Sequence, residues 1–379
     1  MAENRPTGAS LRVAFDATPL LGRPTGVGAF CAGALAGLAD RADLSVAAFA
    51  VSWRRRRLVE SLVPPGVDVR QRAMPARPLH RAWAHRERPP LEWFVGPTDV
   101  VHGTNFVVPP TRRAGRVMTV HDLTTVRFPE LCDRPTLAYP DLIRRALRHG
   151  AWVHTPSAFV AGEVVERLGA DPDRVRAVHS GVPSLPPPDP GAADRYRPAG
   201  TARYVLAVGT AEPRKDFPGL VRAFDDVAAD RPDLALVLAG PDGWGTDAVD
   251  DAVGAAAARA RIVRTGWVDD RTLSGLLHAA TVLAYPSVYE GFGFPPLQAM
   301  AAGVPVVATR AGALPEVLGD AAALVDVGDR AGLATALADV LDSPARRDDL
   351  VARGRARAVG FTWTACADGL ETLYRDARR

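Results

Sequence analysis

The chain has 379 residues, of which 47% are hydrophobic and 23% charged, and its formal net charge is +3. This length exceeds a single ordinary core and predicts two globular domains. No apolar run approaches the roughly 18 residues of a membrane span, the first ten residues carry no signal peptide pattern, and three widely spaced cysteines argue against disulfides and a zinc knuckle. We therefore expect a cytoplasmic protein.

Basic charge is concentrated in the first part of the chain. Residues 1–150 contain 22 arginines against 13 acidic residues, a net charge of +9, so the remainder carries −6. This imbalance predicts an anionic surface or substrate as the partner of the first part. Arginine supplies 45 of the 46 basic residues, and Lys215 is the single lysine.

The first predicted strand is Leu11–Asp16, and Gly22–Gly28 predicts a glycine loop before a helix that ends near Asp40. A glycine loop at the start of a helix can bind an anion. Cys31 occupies the place of the third glycine of a dinucleotide-binding fingerprint, so the tie to NAD is weak. The loop therefore indicates either an anion contact or a plain tight turn.

The next predicted strand is Leu44–Val51, after which Arg54–Arg57 begin a short helix. Four consecutive arginines cover every side of one helical turn. They indicate either a solvated or a membrane-facing end of the helix. Residues 71–98 are rich in Pro, Arg and Trp without a clean period, and we expect loops and short helices there.

Two histidines lie at the ends of predicted strands. Asp99–His102 and Arg116–His121 are strand-like, and His121 with Asp122 falls at a carboxyl end, where functional groups collect. His102, in the sequence VHGTNF, fits a structural role as well as a functional one.

Helices are predicted at Arg134–Gly150 and Ser157–Gly169, on either side of a strand at Trp152–Thr155. Asp171–Asp173 spells a D-x-D triplet that binds metal in some enzymes. Here it predicts a helix-ending turn, because it follows Gly169 and precedes a strand near Val175. Residues 184–200 are rich in proline and predict a semi-rigid linker.

The second part of the chain alternates predicted strands and helices. The strands are Tyr204–Val208, Leu234–Ala239, Ile262–Val263, Thr281–Tyr285 and Pro305–Ala308. Such alternation predicts a doubly wound parallel sheet, whose ligands bind beyond the carboxyl ends of the strands.

The loop after Thr281–Tyr285 carries the most informative motif, YEGFGFPPLQAMAAG, with Gln298 eight residues after Glu290. Gly291 and Gly293 allow a ligand to approach the backbone, so that the N–H groups of Phe292 and Gly293 can bind it. Glu290 is placed to accept hydrogen bonds from a polyol. The alternative is an ordinary strand-to-helix turn with a solvated glutamate.

This motif resembles the donor-site signature of glycosyltransferase family 4, retaining enzymes with the GT-B fold. The resemblance implies two Rossmann-like, doubly wound α/β domains that face each other across a cleft. In the family, one Glu holds sugar hydroxyls and a second Glu, after seven residues, holds the nucleotide ribose. Glu290 matches the first, but Gln298 replaces the second, and we expect donor binding to be weaker by about fivefold.

The resemblance assigns further donor contacts in the second domain. Arg214 and Lys215, in VGTAEPRKDF, match the basic pair for the donor diphosphate, and fixed cations stabilise a departing diphosphate. Val268 and Asp270, in GWVDD, match the turn that holds the base. Glu316, in GALPEV, matches an acid near the donor, but it would also favour a helix dipole without any ligand.

The resemblance also covers the first domain and the domain boundaries. It implies a donor-sugar contact for His121 and ligand contacts for Gly26 and Gly28. We expect an acceptor-side domain at 1–183, a linker at 184–200 and a nucleotide-sugar domain at 201–358. A helical tail at 359–379 crosses back onto the first domain in that fold, which would make Trp363 an interdomain anchor.

The sequence therefore predicts a metal-independent hexosyltransferase without a cofactor, in which Glu290, Lys215 and His121 act in catalysis. Its motifs are most similar to mannosyl-transferring members, so the expected donor is GDP-mannose, with a UDP-hexose as the alternative. The expected acceptor is a glycan, a glycolipid or a lipid-linked sugar.

Peripheral contact with the anionic inner face of a membrane would suit the basic first domain, and nucleic-acid binding is not expected. Three other interpretations remain open from the sequence. They are a nucleotide-sugar epimerase, a pyridoxal phosphate-dependent phosphorylase that would use Lys215, and a non-catalytic nucleotide-sugar-binding protein.

Overall fold

The computed structural model describes residues 10–22, 25–70 and 72–378 of this protein. The segment 1–9, in which no signal peptide is expected, lies outside the described residues, as do Arg23 and Pro24 of the predicted glycine loop, Gln71 and Arg379. The described residues form two compact units. The first comprises residues 10–127, 134–181 and 361–378, and the second comprises 128–133 and 182–360.

The first unit contains a parallel sheet with helices between its strands. Its elements up to residue 181 are β1 (Leu11–Asp16), α1 (Gly26–Ala39), β2 (Leu44–Phe49), β3 (Asp68–Arg70), α2 (Ala76–His85), α3 (Glu92–Val95), β4 (Val100–Gly103), β5 (Gly115–Thr119), α4 (Thr124–Arg127), α5 (Tyr139–Arg148), β6 (Trp152–Thr155), α6 (Ala158–Leu168) and β7 (Val175–Ala177). Within the described residues the strand order is β3-β2-β1-β4-β5-β6-β7.

The second unit repeats this architecture. Its elements are α7 (Ala192–Tyr196), β8 (Arg203–Val208), α8 (Phe217–Ala228), β9 (Leu234–Ala239), α9 (Thr246–Ala255), β10 (Ile262–Gly266), α10 (Asp270–Ala279), β11 (Val282–Tyr285), α11 (Phe294–Ala302), β12 (Val306–Thr309), α12 (Leu314–Leu318), β13 (Ala323–Val325), α13 (Arg330–Asp342) and α14 (Pro344–Val359). The strand order is β10-β9-β8-β11-β12-β13, and all pairs of neighbours are parallel. The last helix, α15 (Trp363–Ala377), belongs to the first unit.

The strands of the second unit are apolar because helices cover both faces of the sheet. Every residue of β9, LALVLA, is buried, and Phe224 of α8 and Leu337 of α13 lie in the same core. Continuous apolar strands of this kind are typical of parallel sheets. Two parallel-sheet units with crossover helices confirm the predicted doubly wound α/β class.

The tail helix is held in the first unit by close packing on α1. A Cβ atom at Gly33 of α1 would lie 2.0 Å from the ring of Trp363, so only glycine fits there. On the sheet, His102 Nδ1 lies 2.7 Å from the Tyr374 hydroxyl of α15. None of the helices in the described ranges is long and apolar enough to cross a membrane.

Both sheets reverse their winding direction beside their first strand. In the first sheet this switch lies between β1 and β4, and in the second between β8 and β11. Loops leave the carboxyl ends of these strands in opposite directions and open a crevice, which is where ligands of such sheets bind. The loops after β8 and β11 contain Arg214, Lys215 and Glu290.

Some segments differ from the sequence prediction. The predicted linker 184–200 includes helix α7, and Ala192 and Ala193 are buried. Ser274 Oγ of α10 donates to the Pro186 carbonyl at 2.8 Å, so this stretch packs on the second unit. The short strands β3 and β13 have no apolar pattern long enough to be predicted, and Arg56–Ser61 forms a 3-10 helix.

Candidate functional site

The central feature of the second unit is a buried charge cluster at the switch point between β8 and β11. After β8, Pro213 begins a 3-10 turn that carries Arg214 and Lys215. Asp216 then adopts the left-handed conformation and caps α8 by accepting from the Gly219 N–H at 2.9 Å. This local structure fixes where the two basic side chains leave the backbone.

Lys215 points into the protein and is almost completely buried. Its Nζ donates to Glu290 Oε1 at 2.7 Å and to the Tyr285 hydroxyl at 2.6 Å. Tyr285 is the last residue of β11, so the ammonium joins the ends of two neighbouring strands. The Tyr285 ring also lies 4.6 Å from Nζ, within cation–π range.

Arg214 holds the other oxygen of the same carboxylate. Its Nη1 lies 2.8 Å from Glu290 Oε2 and donates to the Tyr289 carbonyl at 2.9 Å. Its Nη2 donates to Glu212 Oε1 at 2.5 Å. Ser287 Oγ donates to Glu290 Oε1 at 2.7 Å. The carboxylate is therefore held on both sides by a cation, and the charges of Glu212, Arg214, Lys215 and Glu290 cancel.

These contacts keep Glu290 ionised. Burial alone would raise its pKa, but Arg214, Lys215 and the Ser287 hydroxyl outweigh burial and lower the pKa to about 2. Burial lowers the pKa of Lys215, and Glu290 opposes that shift. Burial, followed by the charge of Glu290, raises the pKa of Tyr285 well above its usual value, so its hydroxyl stays protonated.

The backbone around Glu290 is fixed by the loop after β12. The Ala313 N–H donates to the Glu290 carbonyl at 2.8 Å. Gly312 has a φ of +56°, and a Cβ atom there would lie 2.2 Å from that carbonyl oxygen. This close approach requires glycine. Thr309 Oγ1 donates to the Ser287 carbonyl at 2.5 Å and ties down the same loop.

The other predicted donor residues of this loop lie next to the cluster. Gly291, Phe292 and Gly293 lead into α11, and the buried Phe292 ring meets Phe294 edge-on with 5.3 Å between ring centroids. Gln298 is half-buried on α11. Within the described residues its side chain has no hydrogen bond, so it is not tied to the cluster.

The predicted base-binding residues follow β10, at the same edge of the sheet but two strands from β8. Val268 is half-buried and Asp270 is exposed at the start of α10. The helix cap is Asp269, which accepts from the Thr272 N–H at 2.8 Å. In the described part of the chain, neither Val268 nor Asp270 bonds to the charge cluster.

In the first unit, Gly26 and Gly28 lie in the first turn of α1. Thr25 is the N-cap, and its Oγ1 accepts from the Gly28 N–H at 3.2 Å. One N–H group of this helix start is therefore already used within the protein.

His121 lies just beyond β5 in the first unit. Its Nε2 donates to the Thr104 carbonyl at 2.8 Å, and its ring packs against Phe30 and Phe106. Because a carbonyl can only accept, the proton sits on Nε2. Burial lowers the pKa of His121, although the bond to Thr104 opposes the shift. The ring is therefore neutral near pH 7.

His102, for which the sequence leaves two interpretations, has a structural role. It is fully buried, and its Nε2 lies 2.7 Å from Thr119 Oγ1. Thr119 in turn contacts His154 Nδ1 at 2.9 Å, and His154 Nε2 lies 3.1 Å from the Val178 carbonyl. This chain of hydrogen bonds joins β4, β5 and β6 inside the core.

The other acidic residues considered in the sequence, Asp171, Asp173 and Glu316, lie in a turn and at the start of a helix. Asp171 accepts from the Asp173 N–H at 3.0 Å, which is a turn as predicted. Glu316 is the third residue of α12. The described residues contain no group of three His, Cys, Asp or Glu side chains that could hold a metal ion.

Sequence reasoning missed Glu212, Tyr285 and Ser287, which complete the cluster. Tyr285 lies at a predicted carboxyl end, and Ser287 and Glu212 lie within three residues of Glu290 and Arg214. Their positions near the carboxyl ends of predicted strands could have identified them, since ligands bind where parallel strands end.

Two family models together cover most of the chain. The model described as Glycosyltransferase Family 4 matches residues 24–184. The model described as Glycosyl transferases group 1 matches residues 193–357, which include the whole charge cluster.

The chain is similar to two named mannosyltransferases. It is 30% identical over 305 residues to O-antigen chain mannosyltransferase B of Escherichia coli, covering 79% of this chain and 77% of that protein. It is 44% identical over 114 residues to MMP alpha-(1->4)-mannosyltransferase of Mycolicibacterium hassiacum, covering 29% and 28%. Its structure resembles that of Anabaena Alr3699/HepE in complex with UDP and glucose, with a TM-score of 0.70, 17% identity and coverage of 97% and 100%.

Proposed function

This chain belongs to glycosyltransferase family 4 and has the predicted GT-B fold, and we propose that it is a retaining mannosyltransferase. In this proposal a hexose, with mannose as the first choice, moves from a nucleotide diphosphate to a hydroxyl of a glycan, a glycolipid or a lipid-linked sugar. The observation that carries the proposal is the buried carboxylate of Glu290 between Arg214 and Lys215 at the switch point.

The charges of this cluster define how it would act on a donor. In the free protein the two cations neutralise Glu212 and Glu290. A diphosphate brings negative charge, so Arg214 and Lys215 exchange part of their contact with Glu290 for phosphate oxygens. The released carboxylate of Glu290 then accepts hydrogen bonds from sugar hydroxyls. Donor binding and release of Glu290 are thus one coupled step.

The same cations assist bond cleavage. Negative charge grows on the diphosphate as the sugar bond breaks, and fixed cations in a site that excludes water stabilise that charge. In a retaining reaction on one face of the sugar, the departing phosphate oxygen takes the acceptor proton, so no protein base is required. The neutral ring of His121 would contact the donor sugar, and Gly26, Gly28, Gln298, Val268 and Asp270 would complete the binding site.

We propose that neither a metal nor a cofactor takes part, because two cations already meet the diphosphate. Transfer should then be unchanged after treatment with EDTA. A loss of transfer that added Mg²⁺ restores would contradict this part of the proposal.

The donor assignment rests on the relatives. Two of them are named mannosyltransferases, which supports GDP-mannose, whereas the Anabaena structure holds UDP, which keeps a UDP-hexose as the second candidate. The transferase names support group transfer over an epimerase and over a non-catalytic binding protein.

The test is a calorimetric titration of the purified protein with GDP and with UDP. Binding of GDP in preference to UDP is the expected result, and it would direct the acceptor search to GDP-mannose. A preference for UDP would move the donor to a UDP-hexose. Binding of neither nucleotide would overturn the proposed function.

We also propose that the acceptor is presented at the anionic inner face of a membrane. The excess of arginine in residues 1–150 supports this location.

A further inference from the structure

A short segment of the first unit exposes large apolar side chains to solvent. Trp53 is 60% exposed, Leu58 47% and Leu62 43%, within ten residues of sequence. Val59, between them, is 1% exposed and anchors the segment in the protein. Exposed apolar groups grouped in this way mark an interaction surface.

The same segment carries cations that the protein does not neutralise. Arg54, Arg55 and Arg57 are exposed, and within the described residues none of the three has a carboxylate partner. Several other arginines that reach the surface are paired with acids. Examples are Arg330 with Asp226 at 2.5 Å, Arg231 with Asp342 at 2.5 Å and Arg203 with Asp233 at 2.8 Å.

A second basic and aromatic segment adjoins the first. The Met74 N–H donates to the Ser52 carbonyl at 3.3 Å, which joins the backbone next to Trp53 to the segment that follows Arg72. The Arg72 guanidinium donates to the carbonyl of Trp93, whose ring is 55% exposed. On α2, Arg77 and Arg81 line a shallow groove together with His85 and Arg86.

Acidic side chains do not offset this charge. Residues 53–93 contain ten arginines and four acids. All four acids are engaged within the protein. Asp68 lies 3.6 Å from Arg70, and Glu60 also has a partner. Glu87 pairs with Arg116 and Arg145 at 2.7 Å each, and Glu92 accepts from backbone N–H groups at 2.8 to 3.3 Å.

We propose that residues 53–62, with Arg72, α2 and Trp93, form a docking surface for an anionic lipid bilayer. Tryptophan favours the interface of a bilayer, and the exposed leucines can enter its hydrocarbon edge. Unpaired arginines next to them attract anionic headgroups. A nucleic acid would use the arginines but not Leu58 and Leu62. The inference rests on the proposed function in one respect, because it supplies the surface that would bring the enzyme to a lipid-linked acceptor.

The test is cosedimentation of the full chain with vesicles. We expect binding to vesicles of phosphatidylcholine mixed with phosphatidylglycerol, weaker binding at high salt, and little binding to phosphatidylcholine alone. Each arginine near an anionic surface should contribute about fivefold to vesicle affinity. The triple variant Arg54→Glu, Arg55→Glu, Arg57→Glu should therefore bind the anionic vesicles about 100-fold more weakly. The variant Trp53→Ser, Leu58→Ser, Leu62→Ser should lose about tenfold or more.

The matched control is Arg148→Glu, Arg259→Glu, Arg271→Glu. These three exposed arginines lie outside the surface, and their replacement changes the net charge by the same amount. We expect this control to bind vesicles within about threefold of the unmodified protein, since none of the three arginines belongs to the proposed surface. An equal loss in the control would overturn the proposal, because binding would then follow overall charge.

Two other results would also overturn it. One is equal binding to neutral and anionic vesicles. The other is an unmodified protein that does not bind vesicles but dimerises through Trp53, Leu58 and Leu62, which would make the surface a subunit interface.

Calorimetry with GDP and UDP separates this inference from the proposed function. Vesicle binding without nucleotide binding would contradict only the proposed function. Nucleotide binding without vesicle binding would contradict only the proposal of a docking surface.

Discussion

Lys215 Nζ lies 2.6 Å from the Tyr285 hydroxyl and 2.7 Å from Glu290 Oε1, so one ammonium links the loop after β8 to the end of β11. The phenol and the carboxylate set the direction of the ammonium before any donor arrives. Preorganised charge of this kind contributes to transition-state stabilisation without rearrangement at the moment of reaction.

Replacing Tyr285 with Phe tests this orientation. The loss of one buried hydrogen bond should cost about 1 kcal/mol of the free energy of unfolding. Nucleotide affinity should fall about fivefold, because Lys215 loses one of its two fixed partners. Calorimetry and urea unfolding measure the two effects.

The control is Tyr204→Phe, since the buried Tyr204 hydroxyl donates to the Leu276 carbonyl at 2.5 Å in the same unit. It should lose similar stability and keep full nucleotide affinity. Equal affinity losses in both variants would mean that Tyr285 has only a structural role.

Gly312 provides a test of the backbone under Glu290. In Gly312→Ala the new Cβ would lie 2.2 Å from the Glu290 carbonyl oxygen, so the Glu290 loop must shift. We expect nucleotide-sugar affinity to fall by about tenfold or more, together with a stability loss above the roughly 1 kcal/mol of a strained φ.

Gly328→Ala is the matched control, because Gly328 also has a positive φ, +80°, but a Cβ atom there meets nothing within 4 Å. It should cost only about 1 kcal/mol of stability and leave affinity unchanged. If Gly312→Ala behaves like Gly328→Ala, the position of Glu290 does not depend on this contact.

Gln298→Glu restores the acid that family 4 usually has at this position. A charge-assisted bond to the ribose should raise nucleotide affinity about fivefold, as measured by titration with GDP. Gln298→Ala should lower the affinity instead. Unchanged or weaker binding by the glutamate variant would place the ribose away from Gln298.

The buried histidines predict loss of stability in mild acid. Burial lowers the pKa of His154 to about 3, while His102 and His121 are also lowered. The unfolded chain, with histidine pKa values near about 6.5, therefore takes up protons first as the pH falls. The contribution of these histidines to the free energy of unfolding is fully present above about pH 6.5 and decreases below it. For His154 alone the decrease is about 2 kcal/mol at pH 5.

Asp16 changes the free energy of unfolding in the opposite direction as the pH falls. Burial raises its pKa to about 6, above the unfolded value near about 3.8, so the folded protein gains stability from Asp16 as the pH falls through 6. Burial raises the pKa of Asp216 in the same direction. The pKa shift of His154 is larger than that of Asp16, and His102 and His121 add to it, so net stability should still fall. Urea unfolding from pH 7 to pH 5 should show a shallower decline for His154→Gln, and an identical decline would contradict this account of His154.

The fold was predictable because its signals are local. Apolar runs such as LRVAFD and LALVLA, each followed by a helical segment, form parallel strands as predicted. The short strands β3 and β13 carry only three residues each, too few for a pattern. The packing of residues 184–200 on α10 depends on long-range contacts that proline content does not reveal.

The site was predictable in part. Motifs indicated Glu290, Arg214 and Lys215 separately, and the structure brings them into one cluster. Their direct pairing, across 75 residues of sequence, could not be read from spacing, because it depends on β8 and β11 being neighbours in the sheet. The structural role of His102 likewise depends on Tyr374, which lies 272 residues away.

In the proposed function, Glu290 binds the sugar while Arg214 and Lys215 bind the diphosphate. The most direct test compares GDP-mannose and GDP as ligands of the unmodified protein and of Glu290→Gln by calorimetry. We expect the variant to bind GDP-mannose about tenfold or more weakly and to bind GDP at least as well, because both cations are freed. A variant that binds GDP-mannose with full affinity, or that loses GDP and GDP-mannose equally, would contradict it.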